Sequence, residues 1–73
     1  MPKRFRVNAR KIRGTLARHG FQRTHQKGSH EKWHNPATGK TVIVYEHKGH
    51  DLPRQTVRAI IDGSGIPEDE FYA

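Results

Sequence analysis

The sequence predicts a single α+β domain in the order α-β-β-β-α, with two helices packed on one face of a three-stranded antiparallel sheet. Three observations indicate this arrangement. Apolar residues with helical spacing occupy both ends of the chain, and three strand-like pieces separated by turn formers lie between them. A chain of 73 residues is also long enough for one modest core and too short for two. We therefore expect one domain over residues 1–73, with its folded core over about residues 8–71.

The first helix is predicted over about residues 8–19, because Asn8 is a favourable N-terminal cap. Residues spaced by three and four then form one apolar face: Ala9, Ile12 and Leu16. Gly20 stands where a helix commonly ends in a left-handed residue, and Phe21 follows it as an apolar contact. The helix should therefore pack through one narrow stripe and expose its basic residues.

Three strands are predicted in the middle of the chain. Residues 21–25 have the pattern of a short strand, and Gly28 separates them from a second strand over residues 29–34. Residues 35–39 are dense in turn formers and predict a hairpin. Residues 41–45 are the strongest strand candidate because of their β-branched content.

A second helix is predicted near the C-terminus, where Pro53 can open its first turn. Its apolar face consists of Val57, Ile60 and Ile61. Gly63 and Gly65 should end it, Ile66 should pack back, and residues 67–71 should form one further helical turn. Since the sparse apolar residues would all lie on one side of the sheet, its opposite face should be free for a ligand.

Charge is distributed unevenly along the chain. Residues 1–40 contain eleven Lys or Arg and one acidic residue, Glu31, so this part carries about +10. Residues 41–73 contain three Lys or Arg and six acidic residues, so this part carries about −3. A basic half predicts a polyanionic partner, and RNA, DNA and anionic lipid all qualify on charge alone.

Composition excludes several other classes of protein. Because the chain has no cysteine, it has neither a disulfide framework nor a Cys-based zinc site. The basic N-terminal segment is not followed by the apolar run that a secretory signal needs. No stretch approaches the roughly 18 apolar residues of a membrane span. We therefore expect a cytoplasmic protein without membrane contact.

Six histidines in 73 residues raise the question of metal binding. His30 and His34 have the spacing of a helical metal pair, but they fall on a predicted strand, where they would lie roughly 13 Å apart. His47 and His50 flank a loop and have no nearby acidic pair of suitable spacing. A His-rich metal-binding protein is therefore the least favoured interpretation.

The second strand divides its side chains between two faces. Because successive residues of a strand point in opposite directions, Trp33 should help to build the core while His30, Lys32 and His34 share the open side. Lys27 precedes this strand, so His30 stands between two cations. A histidine on a basic sheet surface is a reasonable place to cut RNA.

Cleavage of RNA requires few protein groups. Cations hold the phosphates, and a neutral His30 imidazole can accept the ribose 2′-OH proton so that this oxygen attacks the adjacent phosphorus. Lys27 or Lys32 can stabilise charge on the phosphoryl oxygens, and Gly28 leaves room for a nucleic-acid backbone. The alternative is a surface histidine that only binds, and spacing does not choose between the two.

One segment is the most specific part of the pattern: Gln26-Lys27-Gly28-Ser29-His30, which follows a helix that ends in Gly20-Phe21. The pattern continues with a β-branched strand that ends near His47 and with the pair Lys48-Gly49. It then contains a helix with residues 56–61, the pair Gly65-Ile66 and an acidic turn with Phe71. Over about residues 8–71, the sequence resembles the HicA (YcfA-like) family of toxins from bacterial and archaeal toxin–antitoxin pairs.

This resemblance implies a fold like that of double-stranded-RNA-binding domains (dsRBD-like), in agreement with the predicted order of elements. It also implies an endoribonuclease, an mRNA interferase that cleaves transcripts without a metal or other cofactor and arrests growth. His30 then corresponds to the family's functional histidine, and Gly28 to its glycine. The implied partners are mRNA and a HicB-type antitoxin that blocks the active face. A non-catalytic RNA-binding module of the same fold is the alternative.

The sequence departs from the family pattern at two positions. Tyr45 stands where the family commonly has a proline at the end of its third strand, and Gln55 stands where it tends to have a glycine. Neither position affects the correspondence of Gly28 and His30. Two interpretations of Tyr45 stay open, a stacking surface for a base and core packing under the second helix.

Further residues are predicted to support the site. The basic residues of the first helix should make non-specific phosphate contacts: Arg10, Lys11, Arg13 and Arg18. Arg23 and His47 are also placed in the RNA-binding set, whereas Ser29 should face the helices in a structural role. The candidates for a second acid/base residue are His47, His34 and Lys27, in that order.

Overall fold

The computed structural model describes residues 7–46 and 51–72. Its elements are α1 (Ala9–Arg18), β1 (Gln22–Lys27), β2 (His30–His34), β3 (Thr41–Tyr45), α2 (Arg54–Ser64) and α3 (Glu68–Tyr72). The predicted α+β class and the order α-β-β-β-α are confirmed, and the expected extra turn near the C-terminus is the short helix α3. Within the described ranges, no helix has the length and apolar character needed to cross a membrane.

Helix α1 forms where the capping and apolar patterns predict it. The Oδ1 atom of Asn8 accepts a hydrogen bond from the Lys11 amide at 2.9 Å, which satisfies one free N–H of the first turn. Gly20 has a φ of 91°, in the left-handed region, and the Phe21 amide donates to the Leu16 carbonyl at 3.0 Å. This turn directs Phe21 inward, and its side chain is buried.

Strand β1 differs from its prediction at both ends. It begins one residue later, at Gln22, and continues to Lys27, because the turn that follows contains only two residues. The first of them, Gly28, has a φ of 60°, which suits the twist of a two-residue hairpin. The second, Ser29, is exposed in this turn, so the prediction that Ser29 faces the helices is wrong.

The second hairpin depends on the buried side chain of Asn35. Its Oδ1 atom accepts from the Ala37 amide at 2.9 Å, and its Nδ2 atom donates to the His19 carbonyl at 3.0 Å. The Asn35 amide also donates to the Lys40 carbonyl at 2.8 Å. One residue therefore closes the turn and ties it to the C-terminal end of α1.

The helices pack together on one side of the sheet, whose strand order is β1-β2-β3 with both pairs antiparallel. Trp33, Val42 and Val44 point from the sheet into the core. From the helical layer, the buried apolar residues include Ile12, Leu16, Val57, Ile60, Ile61 and Phe71. Gly63 was expected to help end α2 but lies within it, and Gly65, with a φ of 72°, is the C-terminal cap. The helices leave the other side of the sheet uncovered.

Candidate functional site

The uncovered side of the sheet, which we call the open face, is formed by residues that alternate with the buried ones. Because paired residues of adjacent strands share a face, the register arranges it in three rows. The first row is Lys27, His30 and Tyr45, the second is His25, Lys32 and Ile43, and the third is Gln22, His34 and Thr41. The open face is therefore rich in histidine and lysine.

A β-bulge decides which side chains of β1 reach the open face. The register shifts between Arg23 and His25, and Thr24 is the extra residue. Arg23 is paired with Trp33, on the side of the helices, whereas His25 and Lys27 lie in open-face rows. Simple alternation along the strand would have placed all three on one side, so the bulge separates Arg23 from the other two. His25, which the sequence did not indicate as a site residue, lies on the open face.

His30 occupies the middle of the first row. Its imidazole contacts the Tyr45 phenol edge to face, with ring centroids 4.6 Å apart and an angle of 87° between the planes. Lys27 lies directly across from it on β1, and Lys32 lies two residues further along β2. Both lysines are exposed, and neither forms an ion pair with any residue in the described ranges. The imidazole is therefore accessible and has two cations beside it.

His34 is separated from His30 along the same strand, as predicted, by roughly 13 Å at ordinary strand spacing. Its Nδ1 atom lies 2.8 Å from the Thr41 hydroxyl oxygen, within hydrogen-bonding distance. Among the residues that the structure describes, no three His, Cys, Asp or Glu side chains are grouped so that they could hold a metal ion. Within the described ranges, the histidines of the open face therefore belong to no such group of three.

The helix-facing side of the sheet holds a second group of charges around Glu31, which is only 1% exposed. Arg13 of α1 donates from Nε to Oε1 of Glu31 at 2.9 Å and from Nη2 to Oε2 at 2.6 Å. Trp33 Nε1 donates to Oε1 at 3.0 Å, and Arg23 Nη1 lies 3.9 Å from the same oxygen. Arg13 also bonds to Glu46. We call these five residues the Glu31 cluster.

The charges of this cluster stabilise one another. The bonds from Arg13 hold the pKa of the Glu31 carboxyl below its usual value, although burial acts in the opposite direction, and the Trp33 bond adds to the lowering. The same bonds, with a contribution from Glu46, raise the pKa of Arg13. The cluster is therefore a two-pronged, charge-assisted pairing between α1 and β2.

The Glu31 cluster changes the interpretation of two predicted RNA contacts. The guanidinium of Arg13 is occupied by two carboxylates and its side chain is only 28% exposed, so the predicted phosphate contact is replaced by a structural ion pair. Arg23 lies beside the same buried carboxylate, on the side of the sheet away from His30. The sequence did not predict these ion pairs, because each joins residues that are well separated along the chain.

The other basic residues of α1 lie at a distance from the open face. Arg10, Lys11 and Arg18 line a groove of about 510 Å³ that also contacts Tyr72 of α3. Because α1 and α3 cover the opposite side of the sheet, this groove does not include His30. The predicted phosphate contacts of Arg10, Lys11 and Arg18 stay a prediction.

Three more predicted site residues have distinct outcomes. A Cβ built on Gly28 would have no heavy atom within 4 Å, so its positive φ, and not crowding inside the protein, requires a glycine. Tyr45 is 38% exposed on the open face, so its interpretation as core packing under the second helix is wrong. His47 lies outside the described residues, as do positions 48–50.

The chain is a small basic α+β domain whose open face carries exposed histidine, lysine and tyrosine side chains. The family model described as the HicA toxin of bacterial toxin–antitoxin systems matches residues 9–66. The chain belongs to this family of toxins, and the resemblance seen in the sequence is confirmed. No curated protein matches the chain significantly. Membership implies a toxin that acts opposite an antitoxin partner.

Proposed function

We propose that this toxin is an endoribonuclease, an mRNA interferase, that cleaves RNA on the open face with His30 as its acid/base residue. The observation that carries the proposal is the first row of the open face, where an accessible imidazole lies between Lys27 and Tyr45. Lys32 in the neighbouring row adds a second cation. The ribose 2′-OH is an internal nucleophile, so a base, an acid and cations are sufficient for strand scission.

In the proposed reaction, the neutral His30 imidazole takes the proton of the ribose 2′-OH. The 2′ oxygen forms a bond to the adjacent phosphorus while the bond from phosphorus to the 5′ oxygen breaks. The products are a 2′,3′-cyclic phosphate and a free 5′-hydroxyl end. Lys27 and Lys32 stabilise the charge that develops on the phosphoryl oxygens. This sequence balances without a metal or a redox cofactor.

The leaving 5′ oxygen needs a proton from a second group. Among the three candidates, Lys27 lies directly across from His30, whereas His34 lies roughly 13 Å away along β2. His47 lies outside the described residues. We therefore place Lys27 before His34 as the proton donor, which reverses their order in the sequence-based prediction.

The proposal is tested by cleavage of a long transcript in the presence of EDTA. His30→Ala should lower the cleavage rate at least 100-fold, the usual contribution of an acid/base group, with little change in unfolding free energy. His19→Ala is the matched control, because His19 lies on the helix side, where its Nε2 atom is 3.3 Å from Glu70. This control should cleave at close to the normal rate, and the products should carry free 5′-hydroxyl ends.

Three outcomes would contradict this reaction. Undiminished cleavage by His30→Ala would remove His30 from the site. Loss of activity in EDTA would contradict a metal-independent mechanism. If the intact protein binds RNA but never cleaves it, the second candidate function applies, a non-catalytic RNA-binding module that uses the same cations of the open face.

We also propose that the antitoxin partner is of the HicB type and covers the open face, as the family resemblance implies. Support comes from the architecture, since the helices leave this side of the sheet uncovered. Antitoxin and a non-cleavable RNA should then compete for the toxin. Simultaneous binding of both in a titration would show that the antitoxin docks elsewhere.

A further inference from the structure

Strand β3 places two large apolar side chains on the open face. Within residues 7–46 and 51–72, the exposed large apolar side chains are Ile43, at 39%, and Tyr45, at 38%. They alternate with the buried Val42 and Val44 and therefore lie side by side on the same surface. In a chain with only 32% hydrophobic residues, an adjacent exposed pair beside His30 indicates a contact surface for a ligand.

We infer that Tyr45 is a substrate-positioning residue that stacks an unpaired base of the RNA beside the scissile phosphate. This inference rests on the proposed function of the open face and adds to it the part of the substrate that is recognised. Tyr45 touches the base and does not take part in proton transfer.

The contact with His30 holds the phenol ring ready for stacking. The two residues are cross-strand partners, and their rings meet at 87° with centroids 4.6 Å apart. A perpendicular aromatic contact of this kind favours one ring orientation. Because the ring is ordered before a base arrives, stacking loses less side-chain entropy. A base on Tyr45 would bring its own ribose next to the His30 imidazole.

The chemistry of the surroundings favours single-stranded RNA. Lys27 lies at the other end of the same row and Lys32 lies in the neighbouring row, so phosphates on either side of the base have cations within reach. Aromatic rings on an exposed sheet, together with such cations, stack unpaired bases with little sequence preference. In a duplex the faces of the bases are occupied by their neighbours, so a duplex offers Tyr45 no partner.

The test uses an oligonucleotide of 2′-O-methyl ribose, which lacks the nucleophilic hydroxyl, with 2-aminopurine as a fluorescent base. Stacking quenches this fluorophore. Quenching is expected with the unmodified protein and with Tyr45→Phe, but not with Tyr45→Leu or Tyr45→Thr. The Leu and Thr variants should bind about 5- to 100-fold more weakly, the range expected for one lost stacking contact. Tyr72→Leu is the control, since Tyr72 lies on α3 and should leave quenching intact.

Cleavage assays separate this inference from the proposed reaction. For RNA that is cleaved, Tyr45→Leu should raise KM much more than it lowers kcat. Quenching and affinity unchanged in Tyr45→Leu and Tyr45→Thr would overturn the inference even if cleavage is normal. Equal quenching of a duplex probe, or no binding of the single strand, would also overturn it. Quenching by a protein that never cleaves RNA would sustain the inference and refute the nuclease.

Discussion

The two sides of the sheet use similar charged residues in opposite ways. On the helix side, Glu31 gathers Arg13 and Arg23, so these cations serve the fold. On the open face, Lys27 and Lys32 are exposed and have no carboxylate partner in residues 7–46 and 51–72. In this basic chain, the positions of the few carboxylates therefore determine which lysines and arginines are free to contact a ligand.

Strand β2 belongs to both sides at once. Within its five residues, Glu31 and Trp33 point towards the helices, whereas His30 and Lys32 point towards the open face. The Glu31 cluster therefore holds the strand that carries His30 from the side opposite the open face. We expect substitutions on the two sides to separate into effects on stability and effects on RNA.

The largest expected effect on stability is that of Glu31→Ala. Removing the buried carboxylate leaves Arg13 with one partner and Trp33 Nε1 without its acceptor, and should cost about 2–3 kcal/mol of unfolding free energy. Lys32→Ala, on the other face of the same strand, should cost less than about 0.5 kcal/mol. Urea denaturation of both variants measures the difference, and equal losses would break the distinction between the two sides.

The stabilising role of Glu31 should also be visible in the pH dependence of stability. Because the folded-state pKa of Glu31 lies below the usual 4.5, the unfolded chain takes up this proton first as the pH falls. The stabilisation by Glu31 is therefore present above about pH 4.5 and is lost as the pH falls towards the folded-state pKa. Acid denaturation curves should show this component in the unmodified protein and not in Glu31→Gln. An identical acid dependence in both would contradict the role of the cluster.

A smaller effect is expected at the turn that leads into His30. Gly28→Ala should destabilise the protein by about 1 kcal/mol, because an L-residue at a φ of 60° is strained although its Cβ meets no neighbour. Gly28→Asn should cost less, since Asn tolerates the left-handed region. Melting temperatures report the role of Gly28 in the turn, and cleavage rates report its role in leaving room for the RNA backbone. A stable Gly28→Asn protein with poor cleavage would show that backbone clearance for RNA also requires the glycine.

The smallest expected effect concerns single phosphate contacts. Lys27→Ala should lower the salt dependence of RNA binding, the slope of log K against log salt concentration, by about 0.7 to 1. Arg23→Ala should change that slope much less, because Arg23 lies beside Glu31 on the helix side. Affinities measured at several salt concentrations provide the comparison. If Arg23→Ala changes the slope more than Lys27→Ala does, the RNA contacts the helix side of the sheet and the proposed binding face is contradicted.

The sequence predicted the helix ends and the alternation along β2, because these features depend on interactions between residues close together in the chain. Asn8, Gly20 and Gly65 mark helix ends through backbone geometry that short segments determine by themselves. The alternation that separates His30 and Lys32 from Glu31 and Trp33 is likewise a property of one strand.

Long-range features of the site were not predictable in the same way. The partner of Arg13 lies 18 positions away, and nothing near Arg13 in the chain indicates a buried carboxylate there. No glycine or proline in the sequence marks the bulge at Thr24. The bulge nevertheless determines that Arg23 and His25 lie on opposite faces of the sheet. The exposure of Tyr45 depends on which face of the sheet α2 covers, and that is settled by the packing of the whole domain.

Contact between RNA and the open face can be observed through the ring signals of the histidines. Histidine-ring NMR spectra are recorded while a 2′-O-methyl single-stranded RNA is added to the protein. Signals of the open-face histidines, His25, His30 and His34, should shift or broaden, while those of His19 should stay in place. A shift of His19 with unchanged open-face signals would contradict the account.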